Sequence, residues 1–374
     1  MFRACLVLFL IMPALALAQA PQPPQVTGRA WMVVDVSSDQ ILAAEKPDER
    51  FEPASLTKLM TAYLVFAALK EKKLALGQQV NVSERAWRAA GSRMFIEPRK
   101  PVAVDELIRG MIVQSGNDAC IALAEQVAGS EEAFAAMMNR EAERLGMKNT
   151  KFMNSSGLPD PQHYSTARDL YLLAAALIRD FPEQYAQYYS QREFRYNGII
   201  QPNRNRLLWL DNTVDGVKTG FTEAAGYCLV ASSKRGPRRV LSVLLGSTSE
   251  TMRAQESQKL LNWGFQFFDA VRLYAGGAPV KEIEVWKGVR ATLKAGFGAD
   301  LLVTVPKGQG ERLKAELLAQ SPLVAPVAAG ARVGNLRVTL DGKPLGEYPV
   351  VALEEVSAAG IFVRAWDTLR LWLR

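Results

Sequence analysis

The sequence predicts an α+β protein: a mixed sheet flanked by helices, then a small all-β domain and a terminal amphipathic helix. Three observations carry that expectation. Strand-like stretches bracket a long helical region within residues 21–276, residues 279–352 alternate in strand fashion, and residues 358–374 gather their apolar side chains on one helical arc.

Taken in order, residues 1–20 carry one charge, Arg3, ahead of an apolar run over 4–18 and an Ala18-Gln19-Ala20 ending. This is the layout of a secretory signal peptide, so the mature chain is expected to begin near Pro21. No later stretch of eighteen or more residues is uninterruptedly apolar, and a second spanning helix is not expected. Residues 30–36 read as a strand with a partner at 41–44 across the Ser37-Ser38-Asp39 turn. From 55 to about 70, Leu59, Met60, Tyr63, Leu64 and Ala67 recur at helical spacing with almost no charge on the other faces. Such a helix is buried rather than superficial, and Pro53 suits the approach to its first turn.

Helical patterns fill 104–181, notably 119–127 and 167–178, broken by turns at Ser155-Ser156-Gly157 and Pro159-Asp160-Pro161. Strands return at 214–222, 227–232 and 240–245, and a helix over about 250–268 closes the region. The first and last strands are expected to be neighbours in one sheet. Gly276-Gly277-Ala278-Pro279 reads as a linker to the all-β domain, whose hairpin signal is Asp341-Gly342. In the tail, Ile361, Phe362, Ala365, Trp366, Leu369, Trp372 and Leu373 share an arc, whereas Arg364, Asp367, Arg370 and Arg374 fall outside it. The tail, 356–374, is therefore expected to lie in a membrane interface; a terminal helix packed on its own domain is the alternative.

The formal net charge is +7 with the basic residues scattered. That excludes a nucleic-acid footprint and leaves attraction to an anionic membrane surface or an acidic polymer. Cys5 belongs to the leader, and Cys120 and Cys228 are too few for a disulfide framework. They read as small core residues, with a bridge between them as the alternative.

Only one histidine, His163, occurs, in the turn over 160–164, where it is expected to be a surface loop residue. A serine nucleophile in this chain therefore needs a lysine as its base. Ser55 and Lys58 stand three apart on the expected buried helix, so their side chains share a face, and a desolvated lysine loses its proton readily. Ser115 and Asn117 lie in an expected interhelical loop, where a hydroxyl can relay protons and an amide can orient a lysine or a substrate. On a cleft-edge strand, Lys218, Thr219 and Gly220 offer a charge, a donor and room for a substrate backbone. Each triplet alone is commonplace.

Together and in this order, Ser-x-x-Lys, Ser-x-Asn and Lys-Thr-Gly form the motif set of penicillin-binding proteins and class A β-lactamases. The segments 52–61, 114–120 and 215–220 extend the likeness, and the chain resembles a low-molecular-mass penicillin-binding protein, a serine-type D-Ala-D-Ala carboxypeptidase. The resemblance implies a penicillin-binding/β-lactamase-like catalytic domain over 21–276. It also implies that Ser55 is the acylated nucleophile, Lys58 its base, Ser115, Asn117 and Lys218 the proton-transfer and positioning network, and the Ser55 and Phe221 N–H groups the oxyanion hole. Thr219, Gly220, Arg204 and Arg253 would bind substrate, the arginines reading its terminal carboxylate. Many relatives carry histidine where this chain has Phe221, so any imidazole role there is lost.

The implied reaction removes the terminal D-Ala of peptidoglycan stem pentapeptides with no metal or cofactor, and β-lactam antibiotics would acylate the same serine. The implied location is the periplasmic face of the inner membrane, held peripherally by the tail helix. A D,D-endopeptidase acting on cross-links is the nearest alternative, and a non-catalytic cell-wall-binding protein is the alternative from another class. A β-lactamase fits less well, because no glutamate stands in a Glu-x-x-Leu-Asn context.

Overall fold

The computed structural model describes residues 21–373; the expected signal peptide and Arg374 lie outside the described residues. Strands β1 (Ala30–Asp35) and β2 (Gln40–Glu45) form one hairpin, and β3 (Val214–Thr222), β4 (Gly226–Arg235) and β5 (Arg238–Ser247) form a meander. They join into a five-stranded sheet of order β2-β1-β5-β4-β3 in which every pairing is antiparallel. β1 thus lies against β5, which closes the sheet from its two distant halves.

Period-2 alternation then builds two cores. Ala30, Met32 and Val34 of β1, Cys228 and Val230 of β4, and Leu241, Val243 and Leu245 of β5 face a helical cluster. Trp31, Val33, Leu229, Ala231, Val240 and Leu244, one residue out of phase, face the opposite side. Buried on both faces, these strands carry near-continuous apolar runs, as sheets covered by helices do. The larger core holds α1 (Lys58–Lys70), α2 (Asn117–Ala128), α3 (Glu131–Arg144) and α4 (Ala167–Asp180). The second is covered by α5 (Glu250–Phe267) through Leu260, Leu261 and Trp263. Helix α1 is buried almost all round, from Lys58 through Phe66, which accounts for its lack of a polar face.

The all-β domain begins earlier than the glycines suggest. Strand β6 (Phe268–Tyr274) pairs antiparallel with a later strand, Leu301–Pro306, so Gly276 to Ala278 form the turn into β7 (Pro279–Trp286) rather than a linker. A glycine pair suits a tight turn as well as a tether, and the pairing of β6 is too remote in sequence to be read locally. This domain has its own core, centred on Leu293, Val303, Val305, Val333, Leu336 and Val338.

The two domains meet at a buried carboxylate. Asp35, fully buried at the end of β1, accepts from Arg238 Nε at 2.5 Å and from Thr304 Oγ1 at 3.0 Å. Arg238 also donates to the carbonyls of Gly264 (2.8 Å) and Phe268 (2.6 Å), tying sheet, α5 and β6 together. Helix α6 (Ile361–Trp372) ends the described chain and buries none of its residues. Asp367 accepts from the Lys287 N–H at 2.7 Å, and the Arg370 guanidinium lies 5.2 Å from the Trp286 ring centroid. The polar side of α6 therefore faces the protein, while Phe362 and Trp372 are 87% and 83% exposed.

Arg238→Ala removes the only cation paired with buried Asp35 among the described residues and leaves it the Thr304 hydroxyl and the Ser37 N–H. Removing one partner of a buried pair costs about 3–5 kcal/mol, so the variant should unfold at clearly lower urea concentration than the wild type, as followed by circular dichroism.

Candidate active site

A cleft of about 510 Å³ opens between β3 and the helical cluster, lined by Ser55, Ser115, Asn117, Thr219, Gly220, Phe221, Arg204 and Arg253 among others. All of the sequence-predicted site residues come together there; Lys58 and Lys218 lie directly beneath, 1% and 3% exposed.

Ser55 sits in a single 3₁₀ turn, Ala54–Thr57, that runs straight into α1. Ala54 takes φ +47°, a left-handed conformation that costs a non-glycine residue about 1–2 kcal/mol. Packing from two sides holds it. Gly157, at φ +85°, passes so close that a Cβ there would stand 1.8 Å from the Ala54 carbonyl oxygen, and a Cβ on Gly220 would meet the Pro53 oxygen at 3.1 Å. The Gly157 crossing needs glycine, and at Gly220 a side chain would have to push its neighbours back. The turn lies at the positive end of α1, which favours negative charge beside Ser55.

Lys58 Nζ lies 3.0 Å from Ser55 Oγ, 2.7 Å from Asn117 Oδ1 and 2.6 Å from the Ser156 carbonyl oxygen. An ammonium donates to all three. A free amine, with two N–H groups and one lone pair, donates to the Asn117 and Ser156 oxygens and accepts from the Ser55 hydroxyl, which is the geometry of a base taking a proton. Burial pushes the Lys58 amine below its ordinary value, and Arg204 pushes the same way against Asp118 and Cys120.

Asn117 is oriented by its own bonds. Its Nδ2 donates to the Ala90 oxygen at 2.7 Å and its backbone N–H to the Ser92 oxygen at 2.7 Å, which leaves Oδ1 for Lys58. Ser115 precedes it at φ +66°, at the end of a π-helical turn, Gly110–Gln114, and its Oγ lies 3.0 Å from Lys218 Nζ. Such π-turns recur at functional sites because they re-aim a side chain. Burial, and after it the neighbouring Lys58, hold Lys218 far below its ordinary value.

At the far end of the cleft, Arg253 Nη2 donates to the Arg204 carbonyl at 3.3 Å and lies 3.4 Å from Glu250. Phe221 is half-exposed at the mouth, its ring 4.5 Å from that of Tyr227. Cys120 and Cys228 are free and buried, and desolvation pushes their thiols up to about 12 and about 11, so neither is an activated nucleophile.

Three contributors escaped the sequence reading. The Ser156 carbonyl holds Lys58, but a backbone acceptor leaves no side-chain signal. Asp118 is buried and accepts from the N–H groups of Met94, Phe95 and Ala119, fixing the loop beside the cleft; its clue was a carboxylate in the first turn of a helix. His163 is the third, and here the expectation of a surface residue fails. It is buried, its Nε2 lies 2.9 Å from Thr57 Oγ1, and its ring packs edge-on to Phe152. The turn folds back beneath the Ser55 helix, a long-range contact that local polarity does not reveal.

A serine hydroxyl on a buried lysine, backed by a second buried lysine, can be compared with known proteins. The D-alanyl-D-alanine carboxypeptidase family (peptidase S11) matches residues 17–249, and the C-terminal domain of penicillin-binding protein 5 matches 268–358. The chain belongs to the D-alanyl-D-alanine carboxypeptidase family. D-alanyl-D-alanine carboxypeptidase DacC of Escherichia coli (strain K12) is 45% identical over 96% of this chain and 92% of that protein. The crystal structure of penicillin-binding protein 5 from Haemophilus influenzae aligns with a TM-score of 0.85 at 40% identity, covering 90% of this chain and 99% of that one. Penicillin-binding protein D2 from Listeria monocytogenes, solved in its ampicillin-bound form, aligns with a TM-score of 0.60 at 31% identity over 64% of this chain and 98% of that one. Among carboxypeptidases of this family the low-molecular-mass, two-domain architecture is therefore the one present here.

His163 supplies an acid limit. Desolvation lowers it from 6.5 to about 4, so the unfolded chain binds a proton that the folded chain rejects. Stability contributed by neutral His163 is complete above pH 6.5 and is lost as pH falls towards 4, by on the order of 3 kcal/mol. His163→Gln should flatten that part of the stability-against-pH curve, measured by urea unfolding, while acylation of Ser55 at neutral pH persists.

Proposed function

We propose that this protein is a D-alanyl-D-alanine carboxypeptidase that removes the terminal D-alanine of peptidoglycan stem pentapeptides through an acyl-enzyme on Ser55. The observation that carries the reading is the 3.0 Å approach of Lys58 Nζ to Ser55 Oγ inside a cleft whose far end presents two arginines. Lys58, as a free amine, takes the hydroxyl proton while Ser55 Oγ attacks the penultimate D-alanine carbonyl. The developing oxyanion sits against the Ser55 and Phe221 backbone N–H groups, with the positive end of α1 behind it. Ser115 relays a proton to the departing amine and is reprotonated from Lys218, the proton on Lys58 returning through the site to that pair before the next turnover, and Asn117 keeps Lys58 aimed. Arg204 and Arg253 hold the terminal carboxylate, and Thr219 and Gly220 admit the substrate backbone along β3. Water then hydrolyses the ester and restores Ser55.

A β-lactam presents a strained amide and a carboxylate at the same separation as the dipeptide, so it acylates Ser55 in the same way. Intact mass after penicillin treatment should rise by one adduct for the wild type and stay unchanged for Ser55→Ala. The variant should also lose D-alanine release by at least about a thousandfold, since loss of the nucleophile leaves only binding and the oxyanion hole. Unchanged release would overturn Ser55 as the nucleophile, and no release or adduct from the wild type would leave a non-catalytic wall-binding role. Arg204→Ala should instead raise KM for the pentapeptide while the penicillin adduct still forms.

The tail helix supports a location as well as a reaction. We infer that, after export, α6 holds the enzyme peripherally on the outer face of the inner membrane. Its polar residues Asp367 and Arg370 engage the β domain while Ile361, Phe362, Trp366, Leu369 and Trp372 face outward. An interfacial helix needs that apolar face free for lipid. No described helix is long and apolar enough to cross a membrane. Deleting residues 358–374 should move the protein from pelleted anionic vesicles to the supernatant with D-alanine release retained.

A further inference from the structure

Arg253 is 5% exposed, yet hydrogen bonds account for little of its placement. Both of its bonds leave from Nη2 and both are long, 3.3 Å to the Arg204 carbonyl and 3.4 Å to Glu250 Oε1, while Nε and Nη1 bond to nothing among the described residues. A strong charge-assisted bond is shorter, about 2.7–2.9 Å. A planar guanidinium this short of bonds takes its orientation from the ring it lies over. That ring is Tyr227, whose centroid stands 5.7 Å from Arg253 Cζ.

The strands fix Tyr227 in turn. It faces Phe221 directly in the β3–β4 pairing, and the two rings meet at 4.5 Å with a 37° tilt. Aromatic cross-strand pairs of this kind hold each other in place. Gly226, just ahead, takes φ +66°, and the β4–β5 register shifts between Tyr227 and Leu229. Such irregularities beside active sites re-aim a side chain. Cys228 and Leu229 accordingly enter the two cores, whereas Tyr227 lines the cleft.

Resting on the carboxypeptidase reading above, we propose that Tyr227 is a positioning residue: braced by Phe221, its ring holds the Arg253 guanidinium so that the free N–H groups meet the terminal carboxylate of the substrate. Stacking suits this task because it orients the cation and occupies none of its donors. A carboxylate in the same place would take the very N–H groups the substrate needs. Tyr227 acts through Arg253 and touches no reacting atom, so it governs capture of the carboxylate and leaves the attack by Ser55 Oγ unaltered.

The test uses the full mature chain with two substrates: the linear pentapeptide, and an ester of the stem tetrapeptide whose leaving alcohol, D-lactamide, ends in an uncharged amide instead of a carboxylate. Tyr227→Leu should raise KM for the pentapeptide about threefold to tenfold. Its kcat should stay within about twofold, the split expected when binding alone is lost, and so should kcat/KM for the ester. Tyr227→Phe, which keeps the ring, should retain the wild-type KM for the pentapeptide. In an Arg253→Ala background Tyr227→Leu should add nothing, as for two residues acting in series. An unchanged KM in Tyr227→Leu overturns the proposal, and so do equal losses on both substrates or a Tyr227→Phe variant as impaired as Tyr227→Leu. A wild type that releases no D-alanine overturns the carboxypeptidase reading, and this inference with it.

Discussion

The buried amine of Lys58 is the constraint from which the rest of the site follows. An amine taken out of water must find acceptors or lose its proton. Here burial lowers its proton affinity and one shell supplies its partners: Asn117 and Ser156 give two oxygens, and the third contact is the hydroxyl of Ser55. Each of the three comes from a different part of the chain. Ser55 is local, Asn117 begins α2, and Ser156 lies on the loop that crosses the Ser55 turn. These elements converge on one nitrogen, which α1, buried almost all round, carries at its first residue into the helical cluster.

The sheet supplies the second side of the cleft, and its antiparallel hairpins fix where β3 ends up. β4 and β5 alternate strictly between two cores, so a one-residue slip would send each core the other's side chains. That rigidity is transmitted to β3, whose Lys218, Thr219 and Gly220 pair in register with Val230, Leu229 and Cys228. Gly220 then stands close against the Ser55 turn, where a Cβ would meet Pro53, Ala54 and Leu56 at 3.1–3.3 Å. Register in the sheet thereby sets the distance between strand and nucleophile.

What could be read from the sequence divides along the same physical lines. Features specified by neighbours in the chain were visible: the apolar helix after Ser55, the strands over 214–222 and 240–245, the amphipathic tail and the Ser-x-x-Lys spacing. The convergence of three separate motifs was readable only because their combination is rare. Features specified by remote packing were not visible. His163 has the local context of an exposed turn, yet the turn tucks under Thr57. Gly276 and Gly277 have the composition of a linker, yet β6 had already paired with a strand beginning at Leu301. Ser156 contributes a carbonyl, which every residue has.

The cleft concentrates four potential cations, Lys58, Lys218, Arg204 and Arg253, against a single lining carboxylate, Glu250. Arginine keeps its charge almost regardless of surroundings, whereas lysine yields when buried beside other cations. In the proposed reaction this separates roles by side-chain type: the guanidiniums would collect an anionic peptide end, while burial lowers both amines towards their neutral forms. Arrival of a substrate carboxylate in that reaction would offset part of the positive field around Lys218, whose Nζ lies 3.0 Å from Ser115 Oγ, while Lys58 lies 3.0 Å from Ser55 Oγ. Substrate charge and proton transfer would in this way be linked through one local field, with the burial of both lysines strengthening the link.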